Sequence, residues 1–310
     1  MRNKFSDKIF ELAKKDKSIC VVVADISPGG SMLEFQKKYR ERFINCGVAE
    51  QTMIGLGSGL AMRGYKPFCY TISTFALFRP YEFVRVDICY QNLPVVIVGM
   101  GAGAIYSTLG GTHQSIEDIA LATSLPNMQV ICPCDPDEIS AATEWCVKQN
   151  KGPVYLRLGK AGEPNLTKNA KEKFKFGKIR YLKKGKDVCI ISYGPILKNA
   201  FKISEYLNQN NISSSIVSFH TIKPFDKNGI KKILKKYRKI LVFEEHIENG
   251  GLSQKIKSTA NDINYKKKIL SFTLKDKFIH FYGSHDELLI KHGLNFKNIA
   301  KKFLDEIRKK

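Results

Sequence analysis

The chain has no apolar run near its start longer than a strand. Lys14, Lys15, Asp16 and Lys17 interrupt the sequence before Ile19–Val23, so nothing there resembles a signal peptide. The protein is expected to stay in the cytoplasm and off the membrane. Zinc-ligand spacing is missing too: Cys132 and Cys134 flank Pro133 with no second pair and no histidine cluster, so no metal site is expected in this chain. Most of the eight cysteines, including Cys20, Cys69, Cys89 and Cys189, sit inside apolar runs and read as reduced, buried small hydrophobes. There is no internal repeat and no long low-complexity segment. Acid is the scarce charge, with 29 Asp and Glu against 51 Lys and Arg, a net charge of +22. That excess invites a nucleic-acid reading. The lysines are scattered, however, as Lys183-Lys184, Lys231-Lys232, Lys235-Lys236, Lys266 to Lys268 and Arg308-Lys309-Lys310, without the interleaved aromatics of a base-stacking platform. They read as a solvated surface whose field attracts phosphorylated sugars or an acidic partner.

At 310 residues the chain fits two domains. Apolar runs bounded by turn residues, at Ile19 to Val23, Phe68 to Ile72, Val95 to Val98, Gln129 to Cys132 and Val154 to Leu158, alternate with helical stretches. The helices are expected around Phe5 to Ala13, Gln51 to Met62, Pro80 to Tyr90, Glu117 to Thr123 and Asp137 to Lys148. This is a βαβ rhythm with parallel strands buried on both faces. A polar stretch from Gly159 to Lys178, with six lysines, reads as a linker. A second α/β unit follows, with strands at Val188 to Ser192, Ser215 to Ser218, Ile240 to Phe243 and Phe278 to Tyr282, and helices at Leu197 to Asn208, Lys227 to Lys236 and Leu252 to Asn261. The fold class is α/β, with two doubly wound domains.

Gly47-Val48-Ala49-Glu50-Gln51 opens a small-residue run and places one carboxylate at a helix start. A first-turn Glu is stabilised there by the dipole and free N–H groups whether or not it is catalytic. Phe75, Phe78 and Tyr81 recur every three residues after a strand; such a stripe is either core or a slot for a flat heteroaromatic ring. Gly99-Met100-Gly101-Ala102-Gly103 has no acidic residue about twenty positions on, against a dinucleotide fingerprint, and reads as a mobile loop. It leads to Gly110-Gly111-Thr112-His113-Gln114, where glycines let the backbone approach a ligand and aim His113 into a cleft. Arg157 ends the strand Val154 to Leu158, where open α/β sheets place ligands; alone it would read as a surface ion pair.

Taken in order, Ala24-Asp25-Ile26-Ser27-Pro28, GVAEQ, the triple-aromatic turn, GGTHQSIED, Pro133-Cys134-Asp135 and LRLGK resemble the transketolase family nearly end to end. The resemblance covers that family's pyrimidine-binding domain, residues 1–165, and C-terminal domain, residues 166–310. The diphosphate-binding signature, a Gly-Asp-Gly followed by a metal-holding Asn, occurs nowhere. The chain is therefore similar to the C-terminal subunit of a split transketolase. The resemblance implies thiamine diphosphate as cofactor, with Mg2+ or Ca2+ held by an N-terminal, diphosphate-binding partner in an α2β2 heterotetramer. It also implies roles. Glu50 matches the glutamate that hydrogen-bonds the cofactor's aminopyrimidine, and Phe75, Phe78 and Tyr81 match the pocket around that ring. Asp25 matches an acid near the cofactor, His113 a histidine facing sugar hydroxyls and Arg157 an arginine on the sugar phosphate. The implied reaction moves a two-carbon ketol unit from a ketose phosphate to an aldose. The partner is expected along the face bearing Glu50, with the C-terminal domain, carrying Phe243-Glu244-Glu245-His246 and Asn249-Gly250-Gly251, bracing the dimer and adding little chemistry. Where transketolases carry a histidine and an aspartate that hold the substrate phosphate and a hydroxyl, this chain has Gly101 and Leu109; with the apolar Ala104 to Leu109, that points to an atypical sugar. Deoxyxylulose-phosphate synthase and the 2-oxo acid dehydrogenase beta subunit share the architecture and rank second. A basic regulatory or binding subunit is the non-enzyme alternative.

Overall fold

The computed structural model describes residues 1–26, 29–149 and 151–309; Ser27, Pro28, Asn150 and Lys310 lie outside the described residues. Twelve strands make two sheets among them. The first contains β1 (Ile19–Val23), β2 (Phe43–Asn45), β3 (Lys66–Ile72), β4 (Val96–Met100), β5 (Gln129–Ile131) and β6 (Val154–Arg157). The second contains β7 (Arg180–Lys183), β8 (Val188–Ser192), β9 (Ser214–Ser218), β11 (Lys239–Ile247) and β12 (Lys268–Leu274). β10 (Thr221–Lys223) lies between β9 and β11 in sequence but joins the first sheet, whose order is β10-β5-β6-β4-β3-β1-β2. The second sheet runs β12-β11-β8-β9-β7. All pairs are parallel except β10 with β5 and β7 with β9.

The period-two alternation of each central strand explains its layers. Val22, Cys69, Ile97, Val130 and Tyr155 fill one face of the first sheet, and Val21, Phe68, Val96, Ile131 and Leu156 fill the other. Helices Arg2–Ala13 and Pro136–Lys148 cover the latter face. The former takes helix Glu50–Met62 and then continues into one face of the second sheet through Cys189, Ile191 and Val242. Helices Lys198–Asn208 and Phe296–Arg308 close the far side. Strand order reverses between β1 and β3, so the crevice at their carboxyl ends is where such a sheet receives a ligand.

Helix Glu50–Met62 is unusually close to its sheet. A Cβ on Gly57 would lie 2.5 Å from the Cys69 Sγ of β3. Its outer side is bare: Gly59 and Met62 are exposed, beside Val48, Phe83, Val86 and Tyr90. All eight cysteines are unpaired, and all but Cys46 are buried. Among the described residues the lysine clusters read as solvated are exposed, apart from the half-buried Lys231. No helix among the described residues is long and apolar enough to cross a membrane.

Two sequence expectations change. The last strand is β12, Lys268–Leu274, and Phe278 to Tyr282 forms none. β12 is a half-exposed edge strand led by lysine, whereas the aromatic run has no ladder partner, leaving Phe278 and Tyr282 exposed. Pro80 to Tyr90 is not one α-helix: a short turn Tyr81–Phe83 precedes the π-helix Val84–Tyr90. Residues 158–179, which include the stretch read as a linker, form no helix or strand, and beyond them β10 returns to pair with β5 of the first sheet.

Replacing Gly57 by leucine is expected to lower stability by about 1–3 kcal/mol through overpacking against Cys69. Gly59→Ala, whose added Cβ meets nothing within 4 Å, is expected to raise it by about 0.4–1 kcal/mol. Urea midpoints of the two variants should move in opposite directions.

Candidate active site

Asn45, at the end of β2, accepts the Asp25 and Gly47 backbone N–H groups on its Oδ1 at 3.3 and 2.9 Å. Gly47 turns at φ +67, a conformation glycine takes without strain, and Glu50 becomes the first residue of its helix. Its carboxylate is 2% exposed. Free N–H groups of the first turn and the dipole favour an anion there, and one guanidinium nitrogen, Arg79 Nη1, donates to both oxygens at 3.0 and 2.8 Å. Arg79 lies 4.6 Å from the Phe75 ring centroid and is 41% exposed. The sheet thus brings a buried acid, an aromatic face and a solvent-facing cation to one crevice.

Beside them opens a cavity of about 300 Å³, lined by Phe75, Phe78, Arg79, Gln114, Glu117 and Phe278 among others. Three buried polar atoms of its walls have no hydrogen-bond partner: Thr74 Oγ1, Gln114 Nε2 and Glu117 Oε2. Orphaned groups of this kind are costly unless something completes them. Burial pushes the Glu117 carboxyl above its ordinary range. The His113 ring stands edge-on to Phe75, centroids 5.1 Å apart, and burial lowers its pKa below the ordinary 6.5. Thr112 Oγ1 lies 2.9 Å from His113 Nδ1; if the hydroxyl donates, Nε2 keeps the proton and can donate in turn.

Of the residues singled out from sequence, Glu50, Phe75, Phe78 and His113 meet here. Tyr81 packs alongside, but its hydroxyl donates to Leu121 O at 3.1 Å and meets Ser124 Oγ at 2.9 Å. Asp25 is exposed at the end of β1, with φ +41. Arg157 is not delivered to the cavity. It is 3% exposed, its Nε donates to Asp118 Oδ2 at 2.8 Å and its Nη2 to the Glu245 carbonyl at 3.0 Å. A guanidinium so held is spoken for, and Arg79 is the exposed one at the cavity. Arg79, Gln114 and Glu117 lay unremarked inside motifs already noted, whereas Phe278 sits in a run read as a strand. Among the described residues no group of three or more His, Cys, Asp or Glu is placed to hold a metal ion.

Comparison with known proteins matches residues 1–163 to the transketolase pyrimidine-binding domain and residues 177–299 to the transketolase C-terminal domain. The chain is 36% identical over 310 residues to a Methanocaldococcus jannaschii protein named as a transketolase C-terminal section, covering 100% of this chain and 96% of the relative. It is 31% identical to one of the subunits of the apulose-4-phosphate transketolase of Phocaeicola vulgatus, covering 99% of this chain and 97% of the relative. It is 33% identical to the 1-deoxy-D-xylulose-5-phosphate synthase of Clostridium acetobutylicum, but spans 48% of that relative. Among solved structures, a split-gene transketolase described as an inactive β4 tetramer superposes with a TM-score of 0.86 at 30% identity, over 99% of this chain and 97% of the other. A mutant transketolase of Pichia stipitis, at 21% identity over 99% of this chain and 45% of its own, gives 0.80 and shares the fold.

The neutral imidazole of His113 contributes to folding fully above the unfolded value near pH 6.5, and the contribution is lost as pH falls below it. An NMR titration should place its midpoint below 6.5, and Phe75→Ser, which admits water, should move it back up. Arg79→Met, which strands a buried carboxylate, is expected to cost about 1–3 kcal/mol, more than Glu50→Gln; urea unfolding of both variants checks the order.

Proposed function

The chain belongs to the transketolase family, and from that membership we propose that it is the C-terminal subunit of a split, thiamine diphosphate-dependent transketolase. Residues 1–165 are its pyrimidine-binding domain and 166–310 its C-terminal domain. The observation that carries this reading is Glu50, a buried carboxylate at a helix start beside Phe75 and Phe78, within a crevice holding three unpartnered polar atoms. Those features fit an aminopyrimidine: flat, apolar on its faces, and able to meet donors and acceptors at its edge. When bound, the cofactor supplies the nucleophilic carbon that carries a two-carbon ketol unit.

This chain's own residues do the rest. Glu50 holds a ring nitrogen by a charge-assisted hydrogen bond in a place shielded from water, which strengthens it. Phe75 and Phe78 clasp the ring, with Tyr81 buttressing them and Asp25 at the crevice mouth. His113 donates to oxygen that gains charge as the substrate's carbonyl is attacked. Once Glu50 exchanges partners, Arg79 is free to meet a sugar phosphate, for which a guanidinium fork is suited, while Arg157 stays locked to Asp118. Mg2+ or Ca2+ and the diphosphate fall to an N-terminal subunit in an α2β2 assembly. The bare apolar face of helix Glu50–Met62 and the π-helix suits that partner, and a β4 tetramer described for a similar chain is what such a face would form alone. The unusual loop around Gly101 and Leu109 suits an atypical sugar phosphate. A deoxyxylulose-phosphate-synthase-like reaction is the second reading, favoured by the Clostridium similarity.

Co-expression with the diphosphate-binding subunit tests the proposal. Calorimetry should show thiamine diphosphate and magnesium bound by the complex and not by this chain alone. Ketol transfer should fall by about 10²–10⁴-fold in Glu50→Gln. Turnover of pyruvate in place of a ketose would favour the second reading, and binding by no combination would sink the first.

A further inference from the structure

His113 sits near the end of a loop with little regular structure of its own. Between Gly101 and Gln114 there are only two short 3₁₀ turns, Ser107–Leu109 and Gly111–His113. The loop is pinched at its base by a bridge between Gly103 and Ser115, where the Gly103 N–H also donates to Ser115 Oγ at 3.0 Å. Beyond that pinch Tyr106 is buried in the first-sheet core and the His113 ring stands against Phe75, and the remaining ties come from the far half of the chain. The Ala104 N–H donates to Glu245 Oε1 at 2.7 Å, Ser107 Oγ donates to the Gly283 carbonyl at 2.7 Å, and Phe278 lies 3.4 Å from where a Gly111 Cβ would be. Glu245, on β11, is 1% exposed, and the same oxygen that receives Ala104 is 2.8 Å from His285 Nε2. The approach is so close that a Cβ on Gly103 would meet Glu245 Oε1 at 2.6 Å.

We propose that Glu245 and His285 are positioning residues: the buried carboxylate, paired with the half-buried imidazole, clamps the loop at Ala104 and thereby fixes where His113 points. The significance for catalysis rests on the functional reading above, but the clamp itself is a property of this chain. The C-terminal half is then part of the site and more than a brace. The clamp is also tied to protons. Burial opposes a charge on His285, Glu245 and Asp286 favour it and Lys198 opposes it, and the balance raises its pKa above 6.5. Lys160, Lys198 and Glu163 share the cavity into which His285 opens, and Arg157 reaches the Glu245 backbone from β6. Because the folded value exceeds the unfolded one, the charged clamp is complete at low pH and weakens as pH rises through the folded value.

Hydrogen exchange on the intact chain tests this without cofactor or substrate. After correction for intrinsic rates, wild-type peptides covering residues 103–113 should lose protection severalfold between about pH 6 and pH 8.5, while those of helix Glu50–Met62 should not. Glu245→Ala should speed exchange of 103–113 by about tenfold at the lower pH. Glu245→Gln keeps an oxygen for Ala104 and should retain most protection but lose its pH dependence, as should His285→Gln. If Glu245→Ala does not fold, the two glutamine variants decide. Equal protection in wild type and Glu245→Ala, or pH dependence surviving in both glutamine variants, would overturn the clamp. In the co-expressed complex, a fall in kcat with KM little changed marks a misaimed His113. A complex that binds no cofactor while the exchange pattern holds would sink the functional reading and leave the clamp standing.

Discussion

A guanidinium removed from water must be neutralised where it lies, and in this protein that demand falls on Arg157. The charge is closed in by Asp118 on one side and by the Glu245 carbonyl on the other. Desolvating both ions costs several kcal/mol each, which only close geometry and further hydrogen bonds offset. Asp118 Oδ2 supplies those by also accepting from Tyr155 at 2.8 Å and Ser115 at 3.4 Å. The end of β6, the base of the His113 loop, helix Asp118–Ser124 and β11 therefore meet at one buried ion pair, Arg157 with Asp118. Remove either charge and the other is left buried and alone.

That junction explains why the site is assembled from distant segments. Each first-half residue in the crevice sits just past the carboxyl end of a strand or at the start of the helix that follows: Glu50 after β2, Phe75 and Arg79 after β3, and the His113 loop after β4. The sheet fixes where each segment emerges. It does not fix the long loop after β4, and here the second half reaches across with Glu245, Gly283 and Phe278. Glycines at 101 and 103 make that reach possible. Gly101 has φ +68, and a Cβ there would fall 2.0 Å from the Tyr106 ring. Gly101 is thus required by Tyr106, which fills the space above it.

The central strands and the helices that follow them were legible because burial on both faces leaves a nearly unbroken apolar run, as in Ile19–Val23 and Val188–Ser192. Edge strands were not. β2, β7 and β10 are three or four residues long, and β12 is half-exposed, so pairing rather than composition makes them strands. Helix Phe296–Arg308 went unnoticed for a related reason: Ile299, Ala300, Phe303 and Leu304 bury one face, but lysines crowd the other. In the site, Glu50, Phe75, Phe78 and His113 could be named from spacing. Arg157 could be named and not placed, because its partners, Asp118 and the Glu245 carbonyl, are 39 and 88 residues away. The neighbourhood of a buried cation is a tertiary property, invisible in the strand that carries it.

β10 leaves the order of its own half to lie against β5, and Lys223 anchors it there by donating to the Thr123 and Leu125 carbonyls at 3.0 and 2.5 Å. The two halves are consequently not exchangeable modules. A genetic break anywhere in residues 158–179 would leave the first piece with an uncovered sheet edge, open to pairing with whatever strand it met. A recombination event that swapped the second half between relatives would carry a strand of the first sheet with it. Selection must therefore treat the whole chain as one unit of inheritance, and compensating changes at the β5 edge should be sought in the half that does not contain it.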